Sequence, residues 1–519
     1  MEEKIKQAIE NIAKNLEVHK EYIRFDNTEQ IYIIEDYLDN KIIEIKKDIK
    51  FDNLMDYPLK FSYCNFLETV IGWNKTFKEK IIFKEVVFCK VVNFSFSIFD
   101  KNINFSNVKF EDKLYFEKCQ FKEKFEFFGI NNLKVEFNNS LFEKEVYFGK
   151  EINDKNIEKS NSFGSCSFEY ANFSNCYFKN EVYFKNNEFK QVFFRNSKFN
   201  DNVYFNNSVF KDYTDFHECE FEKTANFYRV RFDKTPNFSQ AIFKGNLNAV
   251  NTNLNFTFDD LQERIKQEYA FYETQRTAKE AGVIPNLYQE KSLDKFANDF
   301  RDSFRIFKNA LIKDNNLLDA SNFHKYELYC KEIELKNKKG KTFKDVVDRW
   351  QLLFYRKLCD HHTDILQSLN SLILVIGIFV ISSVAMVVGF NYSLGYKPIL
   401  EHWYFSLDFY NHHINSIIQD NYLFMMAINI MILFIYLGLI GFALCLKYMR
   451  KFFIIISYAI TLSVLVVSPK ILIPAMGFFT DKRAILDPLS AIGGIYTIVF
   501  GFVVFSFIKT IRKNSIVPS

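Results

Sequence analysis

Phenylalanine recurs along this chain at intervals that neither an α-helix nor a flat β-strand can use. The clearest run is Phe83, Phe88, Phe94, Phe99, Phe105, Phe110, Phe116, Phe121 and Phe127, in alternating steps of five and six. The run resumes at Phe163 and continues through Phe168, Phe173, Phe178, Phe184, Phe189, Phe194, Phe199, Phe205, Phe210, Phe216, Phe221, Phe227, Phe232, Phe238 and Phe243. Five residues of helix rotate by about 500°, so the rings would scatter around the cylinder. On a strand every odd step changes face. A chain that turns a corner about every five residues can point every ring inward. Four sides then make a coil of about 22 residues, stacked on the next at about 4.8 Å. A fixed repeat of this kind is the mark of a solenoid.

Two residues before most rings sits a small or β-branched residue, such as Val86, Ala171, Val182, Val203, Ala225 and Ala241. Units such as Ala171-Asn172-Phe173-Ser174-Asn175 and Ala225-Asn226-Phe227 resemble the pentapeptide-repeat family, in its degenerate form with five- and six-residue steps. The resemblance covers about residues 61–254 and implies a right-handed quadrilateral β-helix. Phe168, Phe173, Phe178, Phe184, Phe205, Phe210, Phe227 and Phe232 are the expected structural ladder. Residues 149–162, rich in Lys, Glu and Asn, break the step count and are expected to bulge out. Cys64, Cys119, Cys166, Cys176 and Cys219 all fall in the small slot, so they read as buried small residues rather than metal or redox ligands. His217 follows Phe216 and reads as a surface residue.

Some members of that family imitate DNA, which needs an acidic rod. Here 67 basic residues face 63 acidic ones, a net charge of +4, and no nucleic-acid partner is expected. The start of the chain carries charged residues between Ile5, Ile9, Ile12 and Leu16, an amphipathic helix rather than an export signal. Nine cysteines without a paired spacing fit a reducing compartment.

The remaining chain divides around the ladder. Residues 1–60 read as an N-terminal helical or cap region, 61–254 as the β-helix, 255–364 as a helical connector and 365–519 as a four-span transmembrane domain. In the connector, a helix is expected from a cap at Thr257 to about Ala281. Phe300, Phe304, Phe307 and Leu311 then make one apolar stripe, and Ala320, Phe323, Tyr326, Cys330 and Ile333 a second, which together read as an antiparallel helical hairpin. The string from Phe304 to Glu327 resembles a linker of membrane-associated pentapeptide-repeat proteins, and Glu327 reads as a helix-surface or ion-pair residue rather than a catalyst. Phe343, Val346, Trp350, Phe354 and Leu358 form an apolar face beside Lys344, Arg349, Arg356 and Lys357, the pattern of a helix lying on an anionic leaflet.

Four uncharged runs follow: Leu372–Phe390, Tyr422–Leu446, the shorter Phe452–Val467, and Leu489–Ile508. Basic residues precede the first, separate the second from the third and follow the fourth. Both termini are therefore expected in the cytoplasm, in an inner (cytoplasmic) membrane. The segment between the first two runs, 391–421, reads as an external loop with an interfacial aromatic belt and the His412–His413 pair. Ile471–Phe479 reads as re-entrant. Ser490, Gly494, Thr497 and Gly501 form a stripe on the last run, expected to pack against a neighbouring helix, with pore lining as the other reading.

The sequence has no nucleophile–base pairing, P-loop, dinucleotide glycine motif or zinc spacing. It reads as a non-enzymatic protein without cofactor or metal: a membrane-anchored scaffold or sensor whose solenoid meets an unidentified protein partner. Membrane lipids are the second partner, and a homo-oligomer is allowed. The alternative is an ion channel or pore-forming effector gated by the solenoid. Some relatives of this architecture resemble potassium-channel modules, but their filter sequence is missing here.

Overall fold

A computed structural model describes residues 2–37, 39, 41–149, 165–254, 256–280, 291–396, 403–445, 449–467 and 486–514. The chain forms two units, Met1–Gly340 and Lys341–Ser519. Expectations for Phe163, the bulge after Gly149 and the re-entrant Ile471–Phe479 fall wholly or largely outside the described residues.

The first unit is a four-sided β-solenoid. Its short strands pair in parallel with the strands one coil away, for example Phe83 with Phe105 and Phe178 with Phe199. The eight ladder residues named above are all buried. Their rings stack face to face down the rod axis, as for Phe168–Phe189 at 4.8 Å, Phe178–Phe199 at 4.9 Å and Phe184–Phe205 at 5.1 Å between centroids. Rings of neighbouring columns meet edge to face, as Phe173 does with Phe184 at 5.4 Å.

The alternation of five and six has a backbone cause. Every second corner is a tight turn whose third residue is left-handed: Glu85, Phe96, Asn107 and Lys118 have φ of 52°, 63°, 52° and 53°, and recur every 11 residues. These turns follow Phe83, Phe94, Phe105 and Phe116 and make the five-residue steps; the other corners take one residue more. Asn fills many of these positions, at 175, 186, 196 and 207, because it tolerates this conformation better than most residues.

The solenoid begins earlier than residue 61. Ile31–Ile34 pairs in parallel with Leu59–Ser62, and Ile43–Ile45 with Cys64–Phe66. Residues 1–60 therefore hold the first coil as well as a cap. Ile34 and Ile45 stand where later coils place Phe61 and Phe66, so a period traced on Phe starts one coil late. Helix α1 (Glu2–Leu16) and the antiparallel strand Ile23–Asp26 close this end, with Ile12 and Leu16 in the common core. The other end is closed by the expected hairpin, α3 (Leu293–Lys313) and α4 (Leu317–Asn337). Phe307 reaches Phe238 at 4.8 Å and Phe227 at 5.7 Å, and stacks on Phe323. Between strands and hairpin lies α2 (Phe258–Glu280).

The second unit holds α5 (Phe343–Cys359), α6 (Ile365–Ser393), α7 (Trp403–Asp420), α8 (Tyr422–Cys445), α9 (Met449–Val467) and α10 (Pro488–Asn514). The connector thus splits: α2–α4 belong to the first unit, α5 to the second. The expected external loop contains a helix, α7. Among the described residues three helices, not four, are long and apolar enough to cross a membrane: Ile365–Ser393, Tyr422–Leu444 and Pro488–Arg512. Helix α9 starts on Arg450 and Lys451, and the roughly 16 residues left extend about 24 Å at 1.5 Å each, short of the ~30 Å hydrocarbon layer. It still packs in the bundle. Arg450 donates to Ser371 Oγ at 3.1 Å and Tyr458 to Asn370 at 3.0 Å. A Cβ on Gly377 would stand 2.8 Å from Ser457 Cα, so glycine is what allows α6 and α9 to approach. His362 and Thr510 lie 3.1 Å apart, which brings the start of α6 and the end of α10 to one end of the bundle.

Two outcomes are expected. Phe184→Ala should destabilise the first unit by about 3–5 kcal/mol in denaturant unfolding, since it empties a slot between stacked rings; a loss under about 1 kcal/mol would contradict the register. Gly377→Leu should break the α6–α9 contact and yield an aggregated membrane unit by size-exclusion chromatography in detergent, whereas Gly389→Leu, where a Cβ has nothing within 4 Å, should leave it intact.

Candidate interaction surface

Among the described residues the interior of the solenoid is filled by buried side chains. Along one column of left-handed corners serine and cysteine alternate in the small slot, Ser97, Cys119, Ser140, Cys176, Ser197 and Cys219, whereas other such corners are followed by Val86, Val108 or Val230. Ser97 donates to the Gly72 carbonyl, and the other five donate to the carbonyl of a ladder Phe, as Ser140 Oγ does to Phe116 O at 2.7 Å and Cys176 Sγ to Phe137 O at 3.0 Å. In this column the slot is thus small and also a hydrogen-bond donor, which the size pattern alone does not convey. Burial pushes the thiols of Cys119, Cys166 and Cys176 up to about 12, far from reactive thiolates. Among the described residues no group of three or more His, Cys, Asp or Glu side chains is placed to hold a metal ion.

The outside of the coils is where side chains reach solvent. His217 is part-buried there, its Nδ1 2.7 Å from Ser239 Oγ. Tyr147, Tyr183 and Tyr204 stack in one row at 4.7 and 4.9 Å, and the hydroxyls of Tyr183 and Tyr204 both donate to Glu181. Around another side α2 is strapped on by a charged network: Arg195 and Tyr213 contact Asp215 and Glu268, and Arg264 lies over the Tyr213 ring. Asp215 is fully buried there, so this network is a docking joint of the fold rather than an open site.

One corner presents two exposed aromatics side by side. Trp73 and Phe96 are 50% and 43% exposed, with rings 6.0 Å apart. Lys118 of the next coil sits over the Phe96 ring at 4.9 Å. Phe96 occupies the left-handed position, φ 63°, that Asn74 and Lys118 fill at the same corner of the coils on either side. A bulky side chain there is strained. Two large aromatics in solvent, one of them strained, form the sort of anchor that protein interfaces use. Sequence periodicity passed over both, because neither lies on the ladder.

The hairpin holds a second polar cluster. Glu327 accepts from Arg305 at 3.1 Å, Lys308 at 2.6 Å and His324 Nδ1 at 3.1 Å. Burial alone would raise its pKa, but the hydrogen bonds from His324, Lys308 and Arg305 prevail and hold it down at about 2. It ties α3 to α4.

In the membrane unit the expected stripe is displaced. The face of α10 turned into the bundle carries Leu489, Ile492, Tyr496, Val503, Ser506 and Thr510, and Tyr496 stacks on Phe379 at 3.9 Å. Ser490, Gly494 and Thr497 are half-buried and Gly501 is exposed. Ser490 Oγ bonds Asp487 and Thr497 Oγ1 bonds the Gly493 carbonyl within its own helix. The row is offset because Tyr496, not a small residue, fills the interior gap. His412 and His413 contact each other, His413 also meets Phe409 on α7, and His361 and His362 lie in the turn before α6.

In comparison with known families, the one described as pentapeptide repeats (9 copies) matches residues 173–220 and, again, 205–248. No curated protein and no solved structure matches the chain.

The low pKa of Glu327 fixes a pH dependence. Its folded value lies below the unfolded one of about 4.3, so the stabilisation is present above that pH and fades as pH falls toward about 2. Thermal unfolding of residues 1–340 should show a fall in midpoint across that window, and Glu327→Gln should flatten it while lowering stability at neutral pH by about 1–3 kcal/mol.

Proposed function

We propose that this chain, a pentapeptide-repeat solenoid joined to a membrane region, is a non-enzymatic, membrane-anchored scaffold or sensor that binds a protein partner on the side of its solenoid. The observation that carries this reading is the exposed Trp73–Phe96 pair, with Phe96 held in a conformation that a bulky side chain avoids. Both ends of the rod are covered by the chain's own α1 and α3–α4, which leaves the sides for a partner. The partner is a protein rather than a nucleic acid, since acidic and basic residues nearly balance.

The solenoid faces the cytoplasm of a cell whose inner membrane holds the second unit. Free, buried cysteines in the coils suit a reducing compartment. The start of α6 and the end of α10 share one end of the bundle, with Arg450, Lys451, Lys509 and Arg512 near it, and such basic ends lie on the cytoplasmic side. A pore role has less support. The bundle interior is filled by Tyr436, Tyr496 and Phe379, and the row Ser490, Gly494, Thr497 and Gly501 would need a second copy to complete a conducting path.

The test replaces Phe96 by a photoreactive phenylalanine analogue in the full chain in cells. One discrete adduct is expected, absent when Trp73→Ala is added. Phe96→Asn should abolish the interaction while raising stability by about 0.5–1 kcal/mol, because it relieves the corner. No adduct at position 96, or an adduct indifferent to Trp73→Ala, would overturn the reading.

A further inference from the structure

The first half of helix α5 presents an apolar face that its own unit leaves uncovered. Its first turn is fixed by a capping box in which Thr342 Oγ1 accepts from the Asp345 N–H and the Asp345 carboxylate accepts from the Thr342 N–H. From there Phe343, Val346, Val347 and Trp350 follow at helical spacing on one face, and all four are exposed, Phe343 by 84% and Trp350 by 63%. A helix in water would turn such a stripe inward. Only further along does α5 meet the bundle, where Phe354 and Tyr355 lie 5.7 and 5.9 Å from Phe502 of α10.

The far end of α5 is held in a defined pose. Asp360, His361 and His362 are three successive left-handed residues, with φ of 48°, 57° and 66°. Residues other than glycine disfavour that conformation, so the bend must be held from outside. Gln367 Nε2 donates to the carbonyls of Arg356 and Lys357 at 2.7 and 2.9 Å, and Ser371 Oγ to that of Leu358 at 2.8 Å. The first turns of α6 therefore cap α5 and set its direction at the mouth of the bundle.

That mouth is basic. Lys344 and Arg349 lie on α5, Arg356 and Lys357 at its end, Arg450 and Lys451 open α9, and Lys509 and Arg512 close α10. The acidic residues of α5 and the turn are Asp345, Asp348, Asp360 and Asp364. Two of them are engaged as helix caps: Asp345 in the box, and Asp364 through the Gln367 N–H at 2.8 Å.

We infer that the Phe343–Val346–Val347–Trp350 face of α5 lies in the headgroup layer of a bilayer containing anionic phospholipid, with Lys344 and Arg349 on the phosphates. The stripe continues the apolar surface of the spans and the flanking charge complements an anionic leaflet. The inference rests on the membrane reading of α6, α8 and α10.

The experiment uses the full chain in nanodiscs with Trp350 as its sole tryptophan, through Trp73→Phe and Trp403→Phe. The discs hold phosphatidylcholine alone or with phosphatidylglycerol, and lipids spin-labelled at shallow or deep positions serve as quenchers. Trp350 should be quenched most by the shallow label, at a depth of about 5–10 Å. Docking should be stronger in the anionic discs, and Lys344→Gln and Arg349→Gln should each lower the ratio of docked to undocked helix about fivefold. A parallel chain with Trp350→Phe and Phe434→Trp, at a position 69% exposed on α8, reports the spans themselves. If the indole placed at position 434 is quenched and Trp350 is not, the inference on α5 falls and the membrane reading stands. If neither is quenched, the membrane reading falls with it. Equal quenching of Trp350 in both discs, unchanged by the two Gln variants, overturns the role of charge.

Discussion

Everything in the first unit depends on the face-to-face stacking of phenylalanine rings along the rod axis. The coil spacing of a parallel β-ladder, about 4.8 Å, is also a favourable distance between offset aromatic rings. Backbone pairing and ring stacking therefore share one register, and a slip of a single residue would break both. Phe77, Phe99 and Phe121 follow one another at 4.7 and 5.1 Å with planes 3° and 4° apart. The same constraint explains the corners. At the left-handed corners the next ring comes inward after five residues, and the Phe carbonyl there accepts the N–H three residues on, as Phe173 O does from Cys176 at 3.3 Å. In the Ser and Cys column the side chain one coil on adds a second bond to that carbonyl from inside, as Ser197 does for Phe173.

A solenoid of this kind exposes open ladders at both ends, which would invite another chain to add on. Here each end is covered by apolar residues of the chain itself, Ile12 and Leu16 at one end and Phe307 at the other. The rod is thereby a closed body with defined sides. Its hairpin end is locked by charge as well as by packing: Arg301 pairs with Glu334 as Lys308 does with Glu327.

Much of this was legible in the residues, because Phe serves as ring in nearly every coil and its positions can be counted. The coils were plain from Phe61 onward; the first was not, because Ile34 and Ile45 carry out the same packing with a different side chain. The left-handed corners were written as Asn two residues after Phe173, Phe184, Phe194 and Phe205, a signal that a search for apolar periodicity ignores. In the membrane unit, counting uncharged residues found the apolar runs but overstated Phe452–Val467, whose helix opens on charge. The small residues on α10 suggest a stripe by their spacing, while Tyr496 on that helix and Gly377 on α6 make close contacts in the bundle. A lone glycine and a tyrosine in an apolar run carry no period. Trp73 and Phe96 were invisible for a related reason: they matter through exposure and backbone strain, and neither can be counted in a sequence.

The two units divide the proposed work, the solenoid presenting a partner-binding side and the helices fixing it at a membrane. That division is tested most directly by separating them. Residues 1–340, expressed with the photoreactive analogue at position 96, should leave the membrane fraction and carry the same cross-linked partner into the soluble one. If the partner stays at the membrane with residues 341–519 and the freed solenoid cross-links to nothing, the binding side is not on the solenoid and the account is wrong.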